Sequence, residues 1–371
     1  VPSAGQRYGF NDNSLWNPEV PRDVYLAKLQ DSGAKYLRSG INWQWYEPQY
    51  KVFNSSFWSI YDRNYADALA TGVRQIIILM GTPYWALTAD GRGATSPDGT
   101  TFRCDSNNSS QCFAPPDVDR ATVRTEWQAF VRKVTARYPK AAAIEVWNEP
   151  NIQWFWLQKQ DPPLYGRLLA ATAKAIRQVN PAMVVLSGST SNFQGPNTTW
   201  NTAEDSFLRT EYSVAGKASF DAIGWHSYPC KFSWEPPTAQ LQRDIVRMRG
   251  VRHEFADDTA PLWMTEVGAT TGGGSAGGCG GGQFTESQQA SVLGQSLDWA
   301  KRQNARNHDL PIVVVHTLMN PKSRVVISVS NGDGEGEYGV VAYSYNGVTK
   351  QTRIRNKPAY PVVRCKIHGT C

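Results

Sequence analysis

Ala143-Ile144-Glu145-Val146-Trp147-Asn148-Glu149-Pro150-Asn151 starts as an apolar run and stops on an amide, a carboxylate and a proline. Ile144, Val146 and Trp147 favour a strand, Asn148-Glu149 continues one poorly, and Pro150 has no donor for a sheet ladder. A buried strand that ends on polar side chains is how a parallel barrel presents groups at the carboxyl end of its sheet. Leu262-Trp263-Met264-Thr265-Glu266-Val267-Gly268 has the same form, an apolar run ending on a glutamate.

Strand-like and helix-like stretches alternate on both sides of these two. Strands are expected at Arg7–Phe10, Lys35–Arg38, Val73–Met80, Ala143–Trp147, Met183–Leu186, Phe220–Trp225, Leu262–Thr265 and Leu310–Val315. Helices are expected at Pro21–Asp31, stopped by Gly33, and at Phe57–Thr71, stopped by Gly72. Further helices are expected at Val118–Tyr138, Pro163–Val179, Thr238–Phe255 (interrupted near Gly250) and Thr285–Gln303. Thr285 with Gln288 three residues on reads as a capping box. The tail reads as a hairpin, Gly339–Tyr345 turning at Asn346-Gly347, and a short helix near Lys357–Arg364. Eight strands in this alternation predict an α/β fold: a single-domain (β/α)8 TIM barrel over residues 1–371 with long βα loops and a short C-terminal hairpin and helix. A doubly wound open sheet should carry GxGxxG after an early strand, and the sequence has none.

The length of 371 residues suits such a barrel with long loops, and the 41% apolar content is that of a globular chain. No apolar run reaches the ~20 residues of a membrane span, and no nucleic-acid motif is present. The net charge is +6, with Arg247, Arg249 and Arg252 clustered, and Arg353, Arg355 and Lys357. Solvated faces account for these; attraction to an acidic polysaccharide is the sharper reading. The chain starts at Val1 with no charged and apolar leader behind it, so a signal peptide is expected to have been removed or never to have existed.

Six cysteines (Cys104, Cys112, Cys230, Cys279, Cys365, Cys371) lack CxxC and zinc-ligand spacing. They favour disulfides and a secreted, extracellular protein. Sequential pairing, Cys104–Cys112, Cys230–Cys279 and Cys365–Cys371, is the simplest of fifteen connectivities. Sequons at Asn54, Asn107, Asn108 and Asn197 fit an exported chain. The glycine-rich stretch Thr271–Gly282 lacks a phosphate-loop ending. It reads as a linker, or as a rim beside Glu266 tethered through Cys279 to Cys230.

Two carboxylates ~5–5.5 Å apart can cleave a glycosidic bond with retention: one attacks carbon, the other gives and then takes a proton. Val146-Trp147-Asn148-Glu149-Pro150-Asn151 resembles the acid/base signature of glycoside hydrolase clan A, and Thr265-Glu266-Val267-Gly268 its nucleophile segment. Ile223-Gly224-Trp225-His226-Ser227-Tyr228-Pro229 is similar to the clan's sixth strand, Tyr36-Leu37-Arg38 to its second, and Lys357-Pro358-Ala359-Tyr360 to its closing helix. Trp154-Phe155-Trp156 after the first signature makes family 39 the nearest likeness, with family 5 next. Two strand ends depart from the clan pattern. The third, Leu79-Met80-Gly81, lacks a histidine that several families place there, and the eighth carries His316 where many place a tryptophan.

The resemblance implies a hydrolase acting by double displacement on a polysaccharide or oligosaccharide, without cofactor or metal. Glu149 would be the general acid/base and Glu266 the nucleophile. Asn148 would bind the hydroxyl beside the anomeric carbon. Arg38 and Tyr228 would hold Glu266 ionised and oriented, and His226 would meet substrate or the acid/base. Loop aromatics Trp43, Trp45, Tyr84, Trp85, Trp154, Trp156 and Trp234 suggest a carbohydrate cleft, with Trp43, Trp85 and Trp154 as substrate-binding candidates. A monomer, with no membrane or nucleic-acid partner, is the expectation. A non-catalytic carbohydrate-binding barrel and a transglycosylase using the same glutamates are the alternatives.

Overall fold

The computed structural model describes residues 5–16, 20–99, 101–107, 110–229, 235–272, 284–319, 337–346 and 351–371. Eight parallel strands form the barrel: β1 (Arg7–Asn11), β2 (Tyr36–Asn42), β3 (Arg74–Met80), β4 (Ala143–Val146), β5 (Val185–Leu186), β6 (Ile223–His226), β7 (Leu262–Val267) and β8 (Ile312–His316). The ladder runs β5-β4-β3-β2-β1-β8-β7-β6. Parallel bridges Leu186↔Ala222 and Thr190↔Trp225 close the gap between β5 and β6.

Helices α1 (Arg22–Asp31), α3 (Phe57–Ala70), α4 (Ala121–Arg137), α5 (Pro162–Val179), α6 (Glu204–Ala215), α7 (Thr238–Glu254) and α8 (Glu286–Asn307) follow successive strands, with the four-residue α2 (Trp43–Tyr46) between β2 and α3. Their starts have local causes. Asp161 accepts the Leu164 amide at 2.8 Å ahead of α5. Thr285 and Gln288 exchange both bonds of the expected capping box at α8. Gly33 and Gly72, just past α1 and α3, have φ of 75° and 80°, as left-handed stops require. The tail forms an antiparallel pair, β9 (Val341–Asn346) with β10 (Gln351–Asn356), and α9 (Ala359–His368). Residue Gly347 of the expected hairpin turn lies outside the described residues.

Side chains alternate along a strand, so residues two apart share the barrel interior. The amino-terminal half of that interior is apolar: Tyr36, Ile76, Ala143, Leu186, Ala222, Trp263, Ile312 and Val314 form one cluster. Two residues further up the same strands stand Arg38, Glu145 and His316. The polar layer thus rests on a packed plug, which fixes its height in the barrel. The opposite strand faces, with Leu37, Ile77, Leu79, Ile144 and Val146, join Trp127, Phe130, Leu168 and Ile176 of the helices in the main core.

Three local expectations change. The second strand runs four residues beyond Arg38, and α2 replaces the loop expected from Ser39. Helix α7 passes through Gly250 unbroken. A helical glycine costs about 1 kcal/mol, and buried Met248 and Val251 on either side anchor the turn against it. Helix α6 lies between the fifth and sixth strands, where no element was expected. Its signals are Glu204 and Asp205 in the first turn and buried Phe207, Leu208, Glu211 and Tyr212 at helical spacing.

Disulfides Cys104–Cys112 and Cys365–Cys371 form as expected. Cys230, Cys279, Trp234 and residues 273–282 of the glycine-rich stretch lie outside the described residues. Among the described residues, no helix is long and apolar enough to cross a membrane.

Candidate active site

Both strand-end glutamates reach the barrel mouth, and neither does so by simple alternation. After β4 the backbone takes positive φ at Trp147 (76°) and Glu149 (40°), a region that costs a non-glycine residue on the order of 1–3 kcal/mol. The Trp147 amide donates to the Leu79 carbonyl (3.0 Å) and the Glu149 amide to the Ser189 carbonyl (2.8 Å), which hold the turn. On β7 the register slips against β8 between Met264 and Val267, and β6 slips between Trp225 and His226. Such an irregularity re-aims side chains. Consecutive residues Thr265 and Glu266 both meet barrel partners: Thr265 donates to Ser189, and Glu266 accepts from Arg38 and Asn11. Gly268 is needed beside the slip, because a Cβ there would lie 2.6 Å from the His316 carbonyl oxygen.

One ring nitrogen of His226 and one carboxylate oxygen from each of Glu149 and Glu266 lie within 4.8 Å of one another. His226 Nδ1 is 2.7 Å from Glu149 Oε1 and 3.5 Å from Glu266 Oε2. Glu266 Oε1 accepts from Arg38 Nη1 at 2.6 Å and Asn11 Nδ2 at 2.9 Å, and Oε2 accepts from the Tyr228 hydroxyl. Arg38 is fully buried and uses five donors. Nε and Nη2 grip the Glu145 carboxylate at 2.7 Å each, Nη2 reaches Asn148 Oδ1 at 2.7 Å, and Nη1 bonds Glu266 and, at 3.1 Å, Asn11 Oδ1.

Burial by itself would raise the Glu266 carboxyl. The charges of His226, His316 and Arg38 and the Tyr228 hydrogen bond outweigh it and hold the group down at about 2. Glu266 is therefore a carboxylate at neutral pH. The trio Glu149, His226 and Glu266 is compact enough to share a cation. However, Arg38, Asn11 and Tyr228 already occupy both Glu266 oxygens, and the adjacent guanidinium repels a dication. We assign no metal to it.

The structure brings Glu149, Glu266, Asn148, His226, Tyr228 and Arg38 together. It adds three residues to which the sequence had assigned no role. Glu145 is the bidentate partner of Arg38 and also accepts from Ser189 Oγ at 2.7 Å. Asn11 links Glu266, Arg38 and, at 2.9 Å, His316 Nδ1. His316 stands edge-on to Tyr228 and Tyr338. Glu145 was legible: a glutamate inside an apolar strand has to find a buried cation, and Arg38 stands at the carboxyl end of the expected second strand.

The aromatic expectations divide. Trp85 and Trp154 are half-buried and keep some open face. Trp43 does not: it is fully buried in the core against Trp85, Trp127 and Phe130, and its Nε1 donates to Glu47 at 3.1 Å. Trp156 is likewise core, packed edge-on to Trp147. Extension of β2 and the turn of α2 carry Trp43 into the core against α4 instead of over the mouth. Trp43→Ala is expected to cost about 3–5 kcal/mol in denaturant unfolding, as large-to-small core changes do, with KM of the folded protein unchanged. Arg38 likewise is buried behind Glu266 and makes no open surface for substrate. Most members of the basic clusters are engaged by partners, and only Arg252 and Lys357 are buried. Arg249 and Arg252 pair with Asp309, Arg355 pairs with Glu286, and Lys357 is buried on Thr271 and Glu337.

No family model and no curated protein matches the chain. Solved structures do match in fold. A family 39 glycoside hydrolase from Xanthomonas axonopodis pv. citri shares 18% identity at TM-score 0.65, over 100% of this chain and 67% of that one. A family 39 glycoside hydrolase from the gut symbiont Bacteroides cellulosilyticus shares 15% at 0.63, over 98% and 64%. A family 1 β-glucosidase from Thermotoga maritima shares 10% at 0.62, over 99% and 98%. The chain thus spans about two thirds of the length of those two family 39 proteins. The (β/α)8 barrel is the fold it shares with these structures.

Proposed function

We propose that the chain is a retaining O-glycoside hydrolase in which Glu266 is the nucleophile and Glu149 the general acid/base. The observation that carries this is the approach of their carboxylate oxygens to within 4.8 Å. That approach is in keeping with the ~5–5.5 Å separation of retaining enzymes and short of the ~6.5–9.5 Å at which inverting enzymes hold a water between the two groups.

Glu266, ionised and pinned from three sides, attacks the anomeric carbon as Glu149 gives its proton to the departing oxygen. A covalent glycosyl ester on Glu266 results. Glu149, now a carboxylate, takes a proton from water, and the oxygen of that water displaces Glu266 with overall retention. Asn148 Oδ1 is engaged by Arg38, which leaves Nδ2 as the donor for the hydroxyl beside the reacting carbon. His226 touches Glu149 and positions it. Trp85 and Trp154 supply apolar faces for sugar rings of a polysaccharide or oligosaccharide. Two disulfides among the described residues fit an oxidising, extracellular setting.

The test is Glu149→Ala. Turnover of an unactivated glycan should fall by a factor on the order of 10²–10⁴, the usual worth of a positioned acid/base. On an aryl glycoside with a good leaving group, azide should restore turnover and yield a β- or α-azide of retained configuration. Full activity of the variant on both substrates would rule out Glu149 as acid/base. Binding of a glycan by the wild type with no turnover of any would favour the non-catalytic barrel.

A further inference from the structure

Behind the site, two fully buried carboxyls meet: Glu204 at the first turn of α6 and Asp244 in α7. Asp244 is well supplied with donors. Its Oδ2 accepts from Ser227 Oγ, and its Oδ1 accepts from Gln240 Nε2 at 2.7 Å and from Gln194 Nε2. Glu204 has the opposite situation. No described donor reaches either of its buried oxygens, and its side chain is in hydrogen-bond contact with Asp244. Two acceptors bond only if one of them carries a proton. Asp244 already accepts three hydrogen bonds, so the proton belongs on Glu204, which donates to Asp244.

Ser227 is the middle residue of His226-Ser227-Tyr228. Its neighbours reach the two glutamates: His226 Nδ1 meets Glu149, and the Tyr228 hydroxyl meets Glu266. The Ser227 amide also donates to the Glu266 carbonyl at 3.1 Å. Ser227 Oγ is therefore the attachment between this segment and the acid pair in the outer helices. We propose that Glu204 and Asp244 are positioning residues: one shared proton joins their carboxyls into a strut that, through Ser227, sets His226 on Glu149 and Tyr228 on Glu266. The functional part of this inference rests on the glycosidase reading.

The electrostatics agree. Burial, and then the Asp244 charge beside it, pushes Glu204 far above the usual carboxylate range. The other charged groups facing the pair are Arg247 and Asp205 toward Glu204, and Arg243 toward Asp244. Arg243 is engaged by Glu235 and Gln240, and Asp205 by Arg209. Loss of the shared proton would set two buried anions against each other and release Ser227.

The test starts with Ser227→Ala, which removes one oxygen and leaves Asp244 its two glutamine donors. The first readout needs no turnover: carboxyl and imidazole NMR of Glu266 and His226 across pH. In Ser227→Ala and Asp244→Asn, Glu266 should titrate above its wild-type value, because the Tyr228 donor is displaced, and the His226 resonances should move. Glu204→Gln, whose amide still donates to Asp244, should keep the wild-type titration. It should also lose a protonated-carboxyl infrared band that the wild type shows. On a glycan substrate, Ser227→Ala should lower kcat on the order of 10–100-fold at nearly unchanged KM, as small misplacements of reacting groups do. Unchanged Glu266 and His226 titrations in Ser227→Ala would overturn the strut. Shifted titrations in a protein that turns over no glycan would leave the strut standing and remove the glycosidase reading alone.

Discussion

Glu266→Ala is expected to reduce kcat/KM on any glycan substrate by a factor on the order of 10⁴–10⁶, as loss of a covalent nucleophile does, with the fold intact. The stability half follows from charge balance in the buried layer. Arg38 faces two carboxylates, Glu145 and Glu266, both within 2.7 Å. Removing Glu266 leaves the bidentate Arg38–Glu145 pair matched one to one, so no uncompensated charge is created. The acid response should change in a definite sense. The folded Glu266 sits at about 2, below its ordinary value near 4.3, so it stabilises the fold fully above that ordinary value. The contribution is lost as pH falls toward 2 and amounts to about 3 kcal/mol at ~1.4 kcal/mol per pH unit. Chemical denaturation of the wild type between pH 5 and pH 2 should show this loss, and Glu266→Gln should show a flatter profile. Substantial residual turnover in a correctly folded Glu266→Ala, by circular dichroism, would refute the nucleophile assignment.

Arg38→Ala should be the most destabilising change in the site. It strands two buried carboxylates and leaves Asn11 and Asn148 without their common donor. Breaking a buried pair from one side costs about 3–5 kcal/mol, and here one cation serves two anions. Arg38→Lys separates charge from geometry. The ammonium keeps the charge but has three donors for the five acceptor atoms that the guanidinium serves. It should fold, titrate Glu266 at higher pH than the wild type, and lose about 100-fold in kcat, the effect of a misplaced reacting group. Thermal unfolding with kcat measured on both variants checks this. Wild-type stability in Arg38→Ala would mean that Glu145 and Glu266 are not both charged in the folded protein.

Much of the architecture was legible because the signals are local. Runs such as Ile76–Leu79 or Ile144–Val146 are strands by side-chain preference, and Thr285 with Gln288 caps a helix within four residues. The glutamates were legible because each breaks an apolar run. Trp43 was misplaced for the converse reason. Its type fits a sugar platform and a core equally well, and only the length of β2, which depends on pairing with β3 through Asn42↔Met80, decides between them.

From the sequence alone came the barrel, the strand ends and the choice of the two glutamates proposed for catalysis, all of which depend on residues close together in the chain. The meeting of those glutamates within 4.8 Å came from tertiary structure. It depends on the register slip that turns Glu266 inward and on positive φ at Trp147 and Glu149. It depends also on one guanidinium held between Glu145 and Glu266, 107 and 228 residues away. Alternation along a strand is a property of the strand. Where two strands place their last residues is a property of the closed sheet, and no local pattern encodes it.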